Sequence, residues 1–259
     1  MDQKQQADAL SSALEETAPE IKKAPETVVE LIRGVYNKDL ESWDTTAIVR
    51  ELNGFDEEAL ASVDTKKIVY AEYMSLLLKR AVVSIGSVNI SDNPSVIDDL
   101  IIGDRDLLFL GVVKATYGDD RHYQVFCREC TASNDVIVKI SEFENKEYDG
   151  NPHETIKMDA SDGTTYEFRL PNGLDSQIVA KKAKTTAEQN TLMLARCVQT
   201  PVKNAEAWAK GLNLRDRTQF VRTLLEAQPG PQVGEVNAQC ATCGEDLNIV
   251  LDWASLLFG

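Results

Sequence analysis

Two Cys-x-x-Cys pairs carry the clearest chemistry in this 259-residue sequence. Cys127 and Cys130 form the first pair, Cys240 and Cys243 form the second, and the fifth cysteine, Cys197, stands alone. Cysteines separated by two residues can direct both sulfurs at one metal ion, and four thiolates complete the tetrahedral shell of a structural Zn²⁺. The two pairs therefore predict one structural zinc ion held by all four cysteines.

Other chemistry of paired cysteines fits this sequence less well. A redox pair opens a helix whose N-terminus lowers the thiol pKa, whereas β-rich sequence flanks both pairs here. Disulfides are rare in a reducing cytoplasm, and inert or separately metallated pairs remain as alternatives. Four sulfurs leave no open coordination position, so the zinc is not predicted to be catalytic. Cys197 lies in the apolar run 192–198 and is expected to be a buried small hydrophobic residue.

Composition and motifs narrow the class of function. The chain has 27 Lys and Arg against 42 Asp and Glu, a formal charge of −15, so its surface should mostly repel nucleic acid. No apolar run approaches the ~20 residues of a membrane span, and the polar N-terminus predicts no secretory signal. The sequence has no Walker loop, G-x-S-x-G or H-E-x-x-H motif, and it predicts no enzyme.

The elements that must position the cysteines recur along the chain. Four landmarks repeat in the same order at a spacing of 112 to 119 residues, which indicates duplication of one unit. Residues 53–56 recur at 172–175, and residues 75–80 recur at 191–196. Asp104-Arg105 followed by Gly118 recurs as Asp216-Arg217 followed by Gly230, and the first cysteine pair recurs as the second. Two copies related by a pseudo-twofold axis would bring equivalent loops, and so both cysteine pairs, together.

Each predicted unit has the same order of elements. The order is an extended stretch, a long helix, a second helix that starts near the Asp-Arg pair, and a β-hairpin that carries the cysteines near its tip. The extended stretches are residues 48–52 and 166–170, and the long helices are residues 56–82 and 186–199. After the second helices, the hairpins cover residues 122–140 and 233–251. We interpret Asp104 as the N-cap of its helix and Gly118 as the residue that ends it.

The predicted fold class is α+β: internally duplicated helix-plus-β-hairpin units joined by a zinc-ribbon-like site of four cysteines, with a flexible N-terminal arm. Residues 1–45 are the predicted arm, rich in Gln, Glu and Ala, with a short helix over residues 27–36. Such an arm often becomes ordered only against a partner. Residues 46–145 are predicted to form unit 1, and residues 146–259 a polar linker followed by unit 2.

Several short motifs stand in a specific order along residues 50–259. They are LIIGDRDLL at 100–108, Gly118, Cys127 to Cys130, LRDR at 214–217, Pro229-Gly230, CATCG at 240–244 and the closing aromatic Phe258. Together they resemble the T-even-type bacteriophage baseplate proteins. Only the four cysteines carry over as functional positions of that family. Thr131 departs from the pattern, because the family usually has glycine after the second cysteine of the pair.

The resemblance implies a non-enzymatic structural or assembly component of a phage tail baseplate or hub. It implies synthesis in the host cytoplasm, a place in the virion tail, and other baseplate or tail subunits as partners. Neither a membrane, a small-molecule substrate nor nucleic acid is expected as a partner. Two alternatives remain: a tail assembly chaperone absent from the mature virion, and a zinc-ribbon regulator of polymerase or nucleic acid, against which the negative charge argues.

Overall fold

The computed structural model describes residues 26–64 and 67–258 of the chain. These residues form an α+β fold in which helices pack with small antiparallel sheets. Within the described ranges, we find no helix with the length and apolarity that a membrane span requires. Residues 1–25 of the predicted arm lie outside the described residues.

The first half of the chain forms one four-stranded sheet, a set of helices and a separate hairpin. Its elements are β1 (Glu26–Asn37), β2 (Ser42–Arg50), α1 (Gly54–Ala61), α2 (Tyr70–Ala81), β3 (Val82–Ile85), β4 (Val88–Asn89), α3 (Val96–Asp99), α4 (Ile102–Tyr117), β5 (Asp120–Phe126) and β6 (Ser133–Lys139). Strands β1 to β4 are antiparallel neighbours in that order, and α4 packs against β1 and β2. Among the described strands, β5 and β6 pair only with each other.

The second half follows a similar order with smaller sheets. Its elements are β7 (Asn145–Lys146), β8 (Ile156–Asp159), β9 (Thr165–Phe168), α5 (Gly173–Lys182), α6 (Thr186–Cys197), α7 (Ala205–Gly211), α8 (Leu214–Glu226), β10 (Gly230–Pro231), β11 (Glu235–Gln239), β12 (Asp246–Val250) and α9 (Trp253–Phe258). Strands β8 and β9 form one hairpin and β11 and β12 another, while β10 pairs with β7. In both halves, a strand pair (β1 with β2, β8 with β9) precedes the helices, and the hairpin that carries the cysteines follows the last long helix.

The described part of the predicted arm is a strand. The helix predicted over residues 27–36 is wrong, because this segment is β1, paired with β2 along most of its length. Exposure alternates from Thr27 to Leu31, the two-residue period of a strand, and the β-branched Val28 and Val29 favour that conformation. Residues 26–45 therefore belong to the sheet of the first half and not to a flexible arm.

The helix predicted over residues 56–82 is two helices. Helix α1 ends at Ala61 and α2 begins at Tyr70, and the apolar spacing of the two helices together resembles that of one long helix. The helix predicted over residues 186–199 is confirmed as α6, and both cysteine hairpins are confirmed. Gly118 ends α4 with a φ of 86°, as predicted for a glycine at a helix end.

Asp104 has a different role from the predicted N-cap. The N-cap of α4 is Ile101, and Asp104 lies in the first turn with its carboxylate directed at β1. An irregularity in the β1–β2 pairing leaves backbone N–H groups of β1 without strand partners. The Asp104 carboxylate accepts them at 2.6 Å from Ile32, 2.8 Å from Gly34 and 3.2 Å from Arg33. This buried carboxylate therefore stabilises a bulge in the sheet.

The two halves have separate hydrophobic cores, but the end of the chain joins the first one. Phe168 and Phe220 are fully buried in the second core. Residues of β12 and α9 are buried with α2 and α4 in the first core, where the Trp253 ring meets Phe109 edge-on at 5.4 Å. The apolar C-terminal segment therefore packs back onto the same chain, and the two halves interlock.

Candidate metal centre

Each cysteine pair lies in the tight connection at the tip of its hairpin. We call residues 127–132, between β5 and β6, knuckle 1, and residues 240–245, between β11 and β12, knuckle 2. The same two backbone hydrogen bonds close both turns. In knuckle 1, Cys127 N donates to Ala132 O (2.9 Å) and Thr131 N donates to Cys127 O (3.0 Å). In knuckle 2, Cys240 N donates to Glu245 O (2.8 Å) and Gly244 N donates to Cys240 O (2.8 Å). The two halves thus present their sulfurs from turns of the same construction.

The structure brings all four predicted cysteines into one cluster. All four sulfur atoms lie within 4.8 Å of one another, and two of the pairs, Cys127 with Cys243 and Cys130 with Cys240, are 3.6 Å apart. A disulfide would need about 2.05 Å, and all four cysteines are free thiols. A tetrahedral zinc with bonds of ~2.3 Å separates its sulfurs by about 3.8 Å, so the cluster has the dimensions of such a site.

The sulfur contacts are crossed between the knuckles. The first cysteine of knuckle 1 contacts the second of knuckle 2, and the second of knuckle 1 contacts the first of knuckle 2. The two hairpin tips therefore meet, and this contact brings both cysteine pairs together.

Backbone groups prepare one sulfur to bind as a thiolate. The N–H groups of Cys243 and Thr242 lower the pKa of the Cys240 thiol to about 6, because they stabilise the charged sulfur, whereas the neighbouring thiols and burial raise the pKa of Cys243 to about 12. Cys127 and Cys240 are buried, Cys130 is half-buried and Cys243 is exposed. Four sulfurs this close together could hold one metal ion, and all four positions of a tetrahedral shell would then be filled by protein ligands.

Asn134 connects the two knuckles, and sequence reasoning missed it. Its buried side chain accepts a hydrogen bond from Ala241 N at 2.9 Å and donates one to Ala132 O at 3.0 Å. The equivalent position in the second hairpin is the buried, apolar Leu247. A polar residue at an inward position of β6, where the other hairpin has leucine, was the available signal.

Cys197 lies apart from this cluster. It is buried in α6 among residues of the second core, and burial raises the pKa of its thiol to about 12. A thiol in this state is a poor metal ligand and a poor nucleophile. Its prediction as a buried small hydrophobic residue is confirmed.

The two Asp-Arg pairs at the starts of α4 and α8 hold helices together. Arg105 donates to Ile97 O (2.8 Å), Ala71 O (3.3 Å) and Ser75 Oγ (2.8 Å). In the same way, Arg217 donates to Ala209 O (2.8 Å), Ala187 O (2.5 Å) and Thr191 Oγ1 (2.8 Å). In each half the guanidinium thus joins three helices through the same kinds of acceptor. Both arginines therefore have a structural role.

A second matched network lies at the start of α1 and of α5. The buried Asp56 bonds to Arg50 at 2.7 Å and to Arg80 at 2.9 Å. The buried Asp175 bonds to Arg169 and Arg196, both at 2.5 Å. In both helices the same aspartate also completes a capping box with the preceding asparagine, Asn53 or Asn172. Strand, helix start and following helix are tied together identically in both halves.

Comparison with known proteins gives one clear finding. The family model described as T4 bacteriophage base plate protein matches residues 36–258, which include both knuckles. No curated protein and no solved structure matches the chain.

Proposed function

The chain belongs to the T4 bacteriophage base plate protein family, and we propose that it is a non-enzymatic structural or assembly component of a phage tail baseplate or hub. The family match over most of the chain carries this proposal, because it spans both halves and not one short motif. The proposed partners are other tail or baseplate subunits, and the proposed location is the virion tail.

The contacts of three buried carboxylates support a non-enzymatic role. Asp56 and Asp175 each bond to two arginines, and Asp104 accepts three backbone N–H groups of β1. Catalytic acids and bases need an accessible position next to a substrate. These carboxylates are instead committed to contacts inside the protein, which is the behaviour of structural residues.

The four cysteines are proposed to bind one structural Zn²⁺. Support comes from sulfur separations of 3.6 Å in two pairs that each join the two knuckles, from the free thiols, and from the lowered pKa of Cys240. Zinc bound here would connect the two hairpins, which are more than a hundred residues apart in sequence. Its contribution would be to folding, since metal binding at a structural site is coupled to folding.

The two halves are proposed to be copies of one duplicated unit. Support comes from the matched contacts of Asp56 and Asp175, of Arg105 and Arg217, and of the two knuckles. The pairing of Val49 with Val82 in the first half also has a counterpart in the bridge between Phe168 and Val198. The proposed division remains residues 46–145 and 146–259, with residues 26–45, which form β1 and the start of β2, added to unit 1.

Quantitative mass spectrometry of purified virions tests the proposed role. A resident baseplate component should be present at a fixed ratio to the other tail proteins and should remain through repeated density-gradient purification. Its absence from virions, with presence on tail assembly intermediates, would favour the chaperone alternative. Absence from both, with recovery on polymerase or nucleic acid, would favour the regulator and contradict the proposal.

A further inference from the structure

A mainly apolar groove of about 830 Å³ lies on the first half and is lined by residues of α1, α2, α4 and α9. Five aromatic side chains line it: Tyr70, Tyr73, Phe109, Tyr117 and Trp253. Tyr70 and Tyr117 are about half exposed, so the groove is open to solvent on their side. Glu57 is the single charged residue among the described residues that line the groove. An apolar segment that also carries a basic group fits such a surface.

The matching surface of the second half is covered by the chain itself. Residues 100–103 pack against the start of α5, where Gly173 N donates to Leu100 O at 3.1 Å. Leu174 in α5 is accordingly 38% exposed, whereas Phe55, at the same position of α1, is 81% exposed. Among the described residues, the apolar surface at the start of α1 therefore has no such cover.

Strand β1 begins beside this groove. Glu26, its first residue, pairs with Arg50 in the antiparallel register, and Leu52, two residues further along the chain, lines the groove. An extended chain advances ~3.3 Å per residue, so about three residues before Glu26 are enough to reach Leu52. Residues 1–25 therefore join the described structure at the edge of the groove.

The walls of the groove are joined to each other. Leu52 N donates to Thr116 Oγ1 at 3.1 Å, and α9 contributes Trp253, Ala254 and Leu257 to the lining. Because these contacts leave no passage between the walls, an occupant has to lie along the open side of the groove. Extended peptides that contain proline dock in this way on aromatic-lined grooves.

The segment directly before β1 has the matching chemistry. Residues 18–25, which we call the arm segment, have the sequence APEIKKAP. Proline fixes its own φ near about −65° and favours an extended conformation of the residue before it, so Pro19 and Pro25 favour an extended backbone. The arm segment also contains one large aliphatic residue, Ile21, and the only adjacent pair of basic residues in residues 1–25, Lys22 and Lys23.

We propose that the arm segment occupies the groove of its own chain, with Pro19 and Ile21 packed on the aromatic side chains. The tether favours this occupant, because a segment joined directly to β1 has an effective concentration on the order of millimolar at the groove. A second copy or a separate tail subunit has to compete with this concentration. An arm of such composition often becomes ordered only against a partner, and here the partner is a surface of the same chain.

Charge fixes the direction of the arm segment along the groove. Glu57 lines the groove, Glu58 follows it, and both are exposed. Continuing the register between β1 and β2 places Lys23 and Lys22 level with residues 53 and 54, at the start of the helix that carries both glutamates. An exposed ion pair contributes little to affinity, so its main effect is on the orientation of the segment.

Limited proteolysis of the full-length protein with trypsin tests the proposal. Trypsin cleaves after lysine, and Lys4, in the same arm but outside the arm segment, is the internal reference. Cleavage after Lys22 and Lys23 should be slower than after Lys4. Ile21→Ser should accelerate it by about tenfold or more, because proteolysis follows the population of the undocked segment.

The matched control in the arm is Leu14→Ser, which changes an apolar residue outside the arm segment and should leave every cleavage rate as in the parent. Equal rates after Lys22 and Lys23 in the parent and in Ile21→Ser would overturn the proposal. The same acceleration by Leu14→Ser would also overturn it, because the contact would then not belong to the arm segment.

The groove side has its own matched pair of variants. Tyr70→Ser removes a half-exposed tyrosine that lines the groove and should accelerate cleavage after Lys22 and Lys23 as Ile21→Ser does. Tyr36→Ser changes a tyrosine of similar exposure (46%) at the other end of β1 and should not. Equal cleavage of these two variants would mean that the arm segment docks elsewhere.

Zero-length cross-linking identifies the occupant as the chain's own segment. A carbodiimide joins a lysine amine to a carboxylate in contact with it, and it should link a lysine of the arm segment to Glu57 or Glu58. In an equal mixture of isotope-labelled and unlabelled protein, each linked product should carry one isotope only. Products of mixed isotope would assign the groove to the arm of a second copy and overturn the proposal, as would links from these lysines to other carboxylates in their place.

The arm proposal does not rest on the proposed baseplate role. Both measurements use purified protein, so they remain interpretable if the protein is absent from virions. An arm segment that is cleaved freely leaves the family membership, the cysteine cluster and the virion measurement unchanged.

Discussion

The two knuckles have the same hydrogen bonds but differ in one residue that matters for the backbone. After the second cysteine, knuckle 2 has Gly244 at a φ of 78°, and knuckle 1 has Thr131 at a φ of 59°. Glycine adopts this left-handed conformation freely, whereas a β-branched residue is strained there. The comparison teaches that the cysteine turn imposes its backbone geometry on whatever residue stands at this position. Knuckle 1 is therefore the strained half of the cluster.

The aspartate networks of the two halves are also equivalent in chemistry but unequal in surroundings. Asp56 and Asp175 are both buried and both bond to two arginines. The start of α5 beside Asp175 is covered by the first half, whereas the start of α1 beside Asp56 is exposed. The same contacts should therefore contribute more to stability in the second half, where water has less access.

The largest expected effect comes from removing one cysteine. Cys240→Ser should lower the free energy of unfolding by on the order of 4–5 kcal/mol, because a loop of more than a hundred residues is no longer closed, by analogy with a disulfide. Amide hydrogen exchange should become faster in both cysteine hairpins, including β5 and β6. Cys197→Ala is the control: it should have a smaller effect on stability and should leave the hairpins protected.

The next effect compares the two buried aspartates. Asp175→Asn should cost about 3–5 kcal/mol, because it leaves two arginines beside a neutral group in a covered site. Asp56→Asn should cost less, about 1.5–3 kcal/mol, since its second arginine, Arg80, is 38% exposed whereas Arg196 beside Asp175 is 28% exposed. Urea unfolding of both variants measures the difference. Equal costs would contradict the inequality drawn from the surroundings of the two sites.

The same pair of residues predicts an acid sensitivity. Burial opposes the charged form of Asp175, but the bonds from Arg169, the Asn172 N–H and Arg196 outweigh it and hold its pKa below the ordinary 3.8; Asp56 is shifted in the same direction. A carboxylate with a lowered pKa contributes stability above its unfolded pKa of about 3.9 and loses it as pH falls through the folded value. The variants should therefore show a flatter loss of stability below pH 4 than the parent.

A smaller effect is expected at the bridge between the knuckles. Asn134→Ala removes the acceptor of the Ala241 N–H and should cost about 1 kcal/mol. It should also lower the affinity for zinc, measured by competition with a chelator, because the orientation of knuckle 2 is less well defined. Asn248→Ala, on the exposed face of β12, is the matched control and should change neither quantity. If the two variants behave alike, Asn134 has no role in orienting the metal site.

The smallest expected effect comes from exchanging the residue types that follow the second cysteine of each knuckle. Thr131→Gly should raise stability by about 1 kcal/mol, since glycine relieves the strain of the left-handed backbone. Gly244→Thr should lower stability by a similar amount. Thermal unfolding of both variants checks this, and a Thr131→Gly variant less stable than the parent would contradict the assignment of strain to knuckle 1.

Spacing and residue type were sufficient to predict much of the site. The spacing of the two cysteine pairs predicted that the four sulfurs lie in one cluster. The alternating pattern of both hairpins predicted strands β5, β6, β11 and β12. The helix predicted over residues 27–36 is wrong because its apolar spacing fits both a helix and a strand, and pairing with the next strand, β2, decides between them. Asp104 was assigned as a cap because a local rule cannot anticipate a bulge seventy residues away.

Two features of the site depend on contacts that sequence patterns do not contain. Asn134 gains its role only because knuckle 2 places the Ala241 N–H within 2.9 Å of it. The contact between the two halves depends on the seating of residues 100–103 against Pro229, which no single helix or strand pattern implies. Tertiary placement gives these residues their importance.

The central claim is that one metal ion is held jointly by one knuckle from each half. Elemental analysis of purified full-length protein, combined with amino-acid quantification, tests it most directly. The account predicts close to one zinc per chain in the parent and close to zero in both Cys127→Ser and Cys240→Ser. Two zinc ions per chain, no zinc in the parent, or loss of only part of the metal when one knuckle is changed would contradict a shared site.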